Sequence, residues 1–302
     1  MLSRRSYLTG LGSLGSVLGL VGCLGDEPTA TETATGSSTE TPTPASQSFG
    51  NEATVGEIAV TPLMAHPQSS FLYISNVDWA DVKRLEDEWL VFVKLFVSGE
   101  SENPPPWDSF RLVAGDDSFP AVETVDEAPL DQLSADDAVD TGPYWDRDGS
   151  TGWVAFVVPT EFDSASDLTF RVDHEGDTAQ WSLPEKVTDH VASTHPTFEV
   201  VSFDTPKRVL LSDTADVTVT VENTSDVDGV FRGCVNTSGL YAFYEIELAT
   251  EAGSEATWTE ELRPADYAPD ASTFGLYLRT TSGDEKRTID VDEQDETSAD
   301  GA

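Results

Sequence analysis

The chain has 302 residues, of which 16 are Lys or Arg and 56 are Asp or Glu, giving a formal net charge of −40. With no basic patch to neutralise phosphates, this balance excludes nucleic acid as a partner. There are two cysteines, Cys23 and Cys234, and if Cys23 is modified Cys234 has no intrachain partner, so no disulfide framework is expected.

The chain opens with Ser3-Arg4-Arg5-Ser6-Tyr7-Leu8, and the stretch from Leu8 to Val21 is mildly apolar and rich in Gly and Ser. A membrane-spanning helix needs about 20 mainly apolar residues, and glycines weaken helices. The stretch therefore reads as the apolar core of an export signal rather than a span. The run around Arg4 and Arg5 resembles the twin-arginine motif, whose pathway exports folded proteins. The signal ends Leu20-Val21-Gly22-Cys23, which is similar to the lipobox of lipoproteins. That resemblance implies a signal peptide over residues 1–22, a two-chain lipid on Cys23, and a chain held by membrane lipid on the extracellular face of the cell membrane. Two acyl chains give stable anchoring where one is marginal. Residues 1–22 carry Arg4, Arg5 and no acid, so their removal takes the net charge from −40 to −42.

Residues 23–49 read as a tether. Eleven of the 26 residues from 24 to 49 are Ser or Thr, with almost nothing to bury. Such a segment is expected to be disordered, and Ser/Thr with Pro is the composition of an O-glycosylated stalk. A flexible chain of this length spans roughly 28 Å, and a stiff one up to about 80 Å.

From residue 50 the hydrophobic period is two, which predicts strands. A first β-sandwich is expected over 50–195, with strands at Val55–Thr61, Ser70–Ser75, Trp89–Ser98, Phe110–Ala114, Trp153–Val158, Leu168–Val172 and Ala179–Leu183. Trp89, Val91, Val93 and Leu95 alternate with Leu90, Phe92 and Phe96, so this strand is apolar on both faces. Residues 99–151 read as a long insertion, with one short helix over Asp126–Ala138. The segment Thr188–Pro196 reads as a linker. A second sandwich is expected over 196–291, with strands at Phe198–Phe203, Arg208–Leu211, Val217–Val221, Gly229–Val235, Leu240–Leu248, Ala256–Leu262, Phe274–Arg279 and Arg287–Val291. Short strands broken by Gly, Asp, Asn and Pro turns indicate a sandwich. Residues 292–302 form an acidic, disordered tail.

The second module resembles the cell-adhesion-related immunoglobulin-like domains of prokaryotic surface proteins, through Phe198-Glu199-Val200 and Asp216-Val217-Thr218-Val219-Thr220-Val221-Glu222-Asn223-Thr224. The Gly-Asp that follows in that family is Ser225-Asp226 here. The first module resembles the immunoglobulin-like domain of prokaryotic lipoproteins, through Gly149-Ser150-Thr151-Gly152-Trp153 and the strand ending Val158-Pro159. Neither family implies a catalytic residue or a cofactor; both imply display or binding. The acidity, with so few lysines, resembles proteins of extremely halophilic archaea. At about 1 M salt the screening length falls to roughly 3 Å and self-repulsion largely vanishes.

Several residues carry candidate chemistry. Trp107, Tyr144, Trp145 and Trp153 crowd the 99–151 stretch, where loop aromatics would form a ligand-binding surface. Their alternative role is to pin the loop onto its own sandwich. Asn223-Thr224-Ser225 and Asn236-Thr237-Ser238 are N-glycosylation acceptors if exposed. His190 and His195, with Asp189, lack a second pair to complete a tetrahedral metal set, so no metal is expected. His66 and His174 read as solvated. Asp146-Arg147-Asp148-Gly149-Ser150 is half a calcium loop, but the twelfth position is Val157, which excludes an EF-hand. Cys234 lies in an alternating strand and reads as a buried thiol. The expected function is a non-enzymatic, membrane-anchored binding or display module for an envelope protein, a glycan or a small ligand. Alternatives are a structural spacer or adhesin and, remotely, a hydrolase using hidden carboxylates.

Overall fold

The structure, a computed structural model, describes residues 46–76, 79–99, 105–130, 151–162, 168–238, 242–267, 270 and 272–293. The fold is all-β, built from two sandwiches with separate cores.

The first sandwich uses β1 (Gln47–Ser48), β2 (Ala53–Val55), β3 (Ile58–Gln68), β4 (Ser70–Asn76), β5 (Trp79–Arg84), β6 (Glu88–Gly99), β7 (Phe110–Ala114), β8 (Asp117–Pro120), β9 (Thr124–Val125), β10 (Ala128–Pro129), β11 (Thr151–Pro159), β12 (Thr169–His174) and β13 (Asp177–Ser182). One sheet runs β11-β6-β3-β2 and the other β1-β13-β12-β7-β8. Trp89, Val91, Val93 and Leu95 of β6 face Phe110, Phe170 and Trp181 of the opposite sheet. Phe170 is the hub of this core, in ring contact with Phe49, Phe110, Phe156 and Trp181.

The two-faced character of β6 has a specific cause. Its other face, Leu90 and Phe92, lies beside Trp153 and Ala155 of the paired strand β11 and is buried under a second apolar layer that includes Phe71, Leu85, Val125 and Leu130. The β4–β5 hairpin and the small β9–β10 hairpin supply most of that cover, so one sheet lies between two apolar layers.

Four sequence expectations change here. Val55–Thr61 is not one strand, because Gly56, at φ +61°, turns β2 back onto β3. Residues 46–49 belong to the sandwich rather than the tether. Gln47 and Ser48 pair with Trp181 and Ser182, and Phe49 packs on Phe170. The 99–151 stretch is not wholly an insertion, since β7 and β8 are strands of the main sheet. The proposed helix at Asp126–Ala138 begins instead as a hairpin turn, with Asp126 and Glu127 at positive φ, so β9 and β10 pair across it; residues 131–138 lie outside the described residues.

A short helix, α1 (Glu185–Val191), follows β13. Pro184 precedes it, which suits a helix start. Val187 and Val191, one turn apart, drop into the first core. The sequence gives only those two apolar positions as signal, which is too little to separate a helix from a linker.

The second sandwich uses β14 (Phe198–Asp204), β15 (Arg208–Leu210), β16 (Ala215–Asn223), β17 (Gly229–Thr237), β18 (Phe243–Thr250), β19 (Glu255–Leu262), the turn of helix α2 (Pro264–Tyr267), β20 (Thr273–Thr280) and β21 (Glu285–Asp292). The sheets run β14-β16-β19 and β15-β21-β20-β17-β18. All eight expected strands are present. Val217, Val219 and Val221 face the core. Thr218 and Thr220 pair with Thr259 and Thr257 on the wet face at 3.2 and 3.1 Å.

The two sandwiches are coupled by the β4–β5 hairpin, which lies on the outer face of β17. Asn236 accepts from the Ala80 amide at 2.9 Å and donates to the Ala80 carbonyl at 3.0 Å, mimicking a strand partner. Around this pair Leu72, Ala80, Val82, Cys234 and Phe243 form a small apolar cluster. Trp79 packs against Tyr277, tilted at 56° with ring centroids 5.2 Å apart, with the Arg279 guanidinium over its indole. Cys234 is buried as expected, but in this interface and not in the sandwich core. Burial pushes its thiol up to about 12.

Candidate functional site

The sandwiches approach closely a second time, where α1 and the chain after it meet the turn before β17. Gly229 lets the chain entering the second sandwich pass close to this turn, since a Cβ there would sit 2.4 Å from the Pro196 side chain. A cleft of about 380 Å³ opens beside this contact. Its walls include Lys186, Asp189 and His190 of α1, Thr194 after it, Trp89 of β6, and Asp228 from the second sandwich.

Several of these groups are held in place. The Asp228 carboxylate accepts from the Ala252 amide at 3.0 Å. The neighbouring turn is fixed by Asn223, which donates to the Val227 and Thr250 carbonyls at 2.8 and 3.1 Å and accepts from the Ser225 hydroxyl at 2.6 Å. On the other wall, the Ser193 hydroxyl donates to the His190 carbonyl and closes the helix end. Trp89 is 1% exposed and carries two imidazoles against its ring, His190 at 4.6 Å and His195 at 4.4 Å between centroids. The indole Nε1–H has no hydrogen-bond acceptor among the described residues.

Both imidazoles are held below the ordinary histidine range. For His190 the cause is first the crowding of its ring, then His66 and His195. For His195 it is burial, then the Arg84 charge, which together outweigh the favourable Leu85 and Glu86 backbone and the Asp87 carboxylate. The unfolded chain therefore binds more protons at these positions than the folded one. Stability contributed here is complete above about pH 6.5 and declines as the pH falls below that value. Thermal denaturation followed from pH 8 to pH 5 should show this loss, and a His190→Phe, His195→Phe variant should show a flatter profile. An equally steep profile in the variant would place the sensitivity elsewhere.

The histidine expectations are corrected accordingly. His190 and His195 are not linker residues, because Trp89 gathers them on one ring. His174 is buried at the end of β12 rather than solvated, and His66 is partly buried beside His190. Among the described residues no group of three or more His, Cys, Asp and Glu side chains is placed to hold a metal ion.

Of the four aromatics expected to form one surface, the two that are described, Trp107 and Trp153, lie in different apolar layers. Trp153 is a core residue of β11, 1% exposed and edge-on to Phe92 at 5.0 Å in the outer layer. Trp107 packs instead against the inner core beside Phe110. Tyr144 and Trp145 lie outside the described residues, as do Asp146–Ser150, Arg4, Arg5 and Cys23. Asn223 and Asn236 are both fully buried, and their side-chain amides serve the turn and the hairpin. Asn223 sits on the inward side of its strand end and Asn236 lies beneath the β4–β5 hairpin, so neither is an acceptor in the folded chain. A protein mass that includes a glycan at either position would contradict this.

No protein-family model matches the chain, and no curated protein is similar to it. Among solved structures, part of the chain is similar to a β-glucosidase from Listeria innocua in complex with isofagomine, at 19% identity and a TM-score of 0.29. That alignment covers 33% of this chain and 16% of that one. A β-glucosidase from Bifidobacterium adolescentis is similar at 23% identity and a TM-score of 0.24, over 32% of this chain and 17% of that one. The chain thus spans about a sixth of the length of these enzymes. Likenesses this weak bear on neither its fold nor its activity.

The sequence reading missed Trp89, Lys186 and Asp228 as a group. They come from a strand, a helix and a turn nearly 140 positions apart, and no spacing rule connects them. Among the described residues no helix is long and apolar enough to cross a membrane.

Proposed function

We propose that this chain is an exported lipoprotein, anchored through Cys23 on the outer face of the cell membrane, whose two immunoglobulin-like sandwiches form a non-enzymatic binding module. The observation that carries the binding half is the preformed cleft at the junction, with walls from both sandwiches. Ligand sites occur preferentially at domain interfaces and are usually formed in advance. The buried Asn236–Ala80 pair supports this, because it limits the freedom of one sandwich against the other. The anchoring half rests on Arg4-Arg5, the apolar stretch and Leu20-Val21-Gly22-Cys23.

The anchor has a direct test. In a high-salt host, wild-type chain should partition with membranes and incorporate labelled lipid. Cys23→Ala should lose the label and appear in the medium, and an Arg4→Lys, Arg5→Lys variant should remain inside the cell. Retention of the Cys23→Ala chain on washed membranes would remove the lipid anchor from this reading.

A further inference from the structure

We propose that the junction cleft takes a neutral, polyhydroxylated ligand of one or two sugar rings, with Asp189 and Asp228 accepting from its hydroxyls and Lys186 donating to its oxygens. The inference rests on the binding-module reading and names the ligand class for that site.

Size limits the choice first. About 380 Å³ lies at the lower end of small-molecule sites, which run from roughly 300 to 1,000 Å³. A protein loop or a folded partner would need a broader surface. Charge limits it next. Two carboxylates line the cleft in a chain of net charge −40, so an anion would meet repulsion from its walls. A compact organic cation would be drawn by the same field, but it would want an aromatic face, and the Trp89 indole is almost wholly covered by its neighbours.

A polyol fits what remains. Its hydroxyls both donate and accept, matching acceptors (the carboxylates), a donor (Lys186) and the Thr194 hydroxyl in one space. Neutral imidazole at His190 adds one donor and one acceptor. Asp228 is oriented before any ligand arrives, since its Oδ1 is tied to the Ala252 amide. The Trp89 ring borders the cleft while its Nε1–H is covered beneath, so the indole resonance reports a ligand seated there without bonding to it.

The test uses full-length Cys23→Ala protein in high salt, labelled with nitrogen-15. Indole N–H resonances are followed during titration with methyl α-mannoside, lactose, diacetylchitobiose, galactose and galacturonate. The Trp89 signal, identified by its loss in Trp89→Phe, should shift saturably with at least one neutral sugar. Asp228→Asn should weaken that binding about tenfold, equivalent to about 1.4 kcal/mol, while the protein stays folded by its amide spectrum. Galacturonate should bind more weakly than galactose. No Trp89 shift with any neutral sugar, binding unaffected by Asp228→Asn, or tighter binding of galacturonate would each overturn the proposal. Membrane partitioning of the wild-type chain is independent of these titrations, so the anchor reading can stand while the ligand class falls.

Discussion

Asn236→Ala should release the β4–β5 hairpin from β17 and lower stability by about 2–4 kcal/mol. The wild-type carboxamide satisfies both the amide and the carbonyl of Ala80 inside a buried contact. Alanine leaves both backbone groups without that partner, and a buried group so stranded costs about 1–3 kcal/mol. The apolar cluster of Leu72, Ala80, Val82, Cys234 and Phe243 and the Trp79–Tyr277 contact would then hold the hairpin on the second sandwich without it. Two readouts separate local release from general weakening. Denaturant unfolding of the Cys23→Ala background gives the total loss. Reaction of Cys234 with a thiol reagent gives the local opening, because this buried thiol, pushed up to about 12, reacts only when the hairpin lifts or the sandwich unfolds. The Asn236→Ala chain should label faster than its global stability allows. Asn223→Ala, which removes an equally buried amide at the far turn, should destabilise without that excess. Equal labelling in the two variants at equal stability would mean that the hairpin does not depend on Asn236.

Trp153→Ala should cost about 3–5 kcal/mol, the usual range for emptying a buried tryptophan site. Its ring meets Phe92 edge-on and fills the layer between β6 and the hairpins above it. Trp107→Ala should cost less, because that ring is only partly buried at the margin of the inner core. Chemical denaturation of both variants at high salt, where self-repulsion is screened, provides the comparison. A Trp153→Ala chain within about 1 kcal/mol of wild type would mean that the outer layer contributes little to the sandwich. Neither substitution should alter ligand binding at the junction, since neither ring lines that cleft.

The sequence by itself determined the all-β class and the eight strands of the second sandwich. A period of two is imposed locally: Val217, Val219 and Val221 must leave on one side of β16 whatever packs against them. It also marked β6 as apolar on both faces and Cys234 as buried. It did not determine what covers each face. The hairpin strand β5, with Trp79, Ala80 and Val82, has a weak pattern of its own and is fixed by a strand more than 150 positions away. The same distance hid the burial of Asn236, whose triplet looks like a surface acceptor until Ala80 is set against it. Trp153 shows the converse, since a tryptophan beside a predicted loop is equally compatible with a binding surface and a core, and only the cover supplied by Phe71, Leu85 and Leu130 decides. The cleft formed by Trp89, Lys186 and Asp228 likewise exists only once both sandwiches have folded and docked. Alternation along a strand is a property of neighbouring residues, whereas cover and convergence belong to contacts that chain separation leaves unmarked.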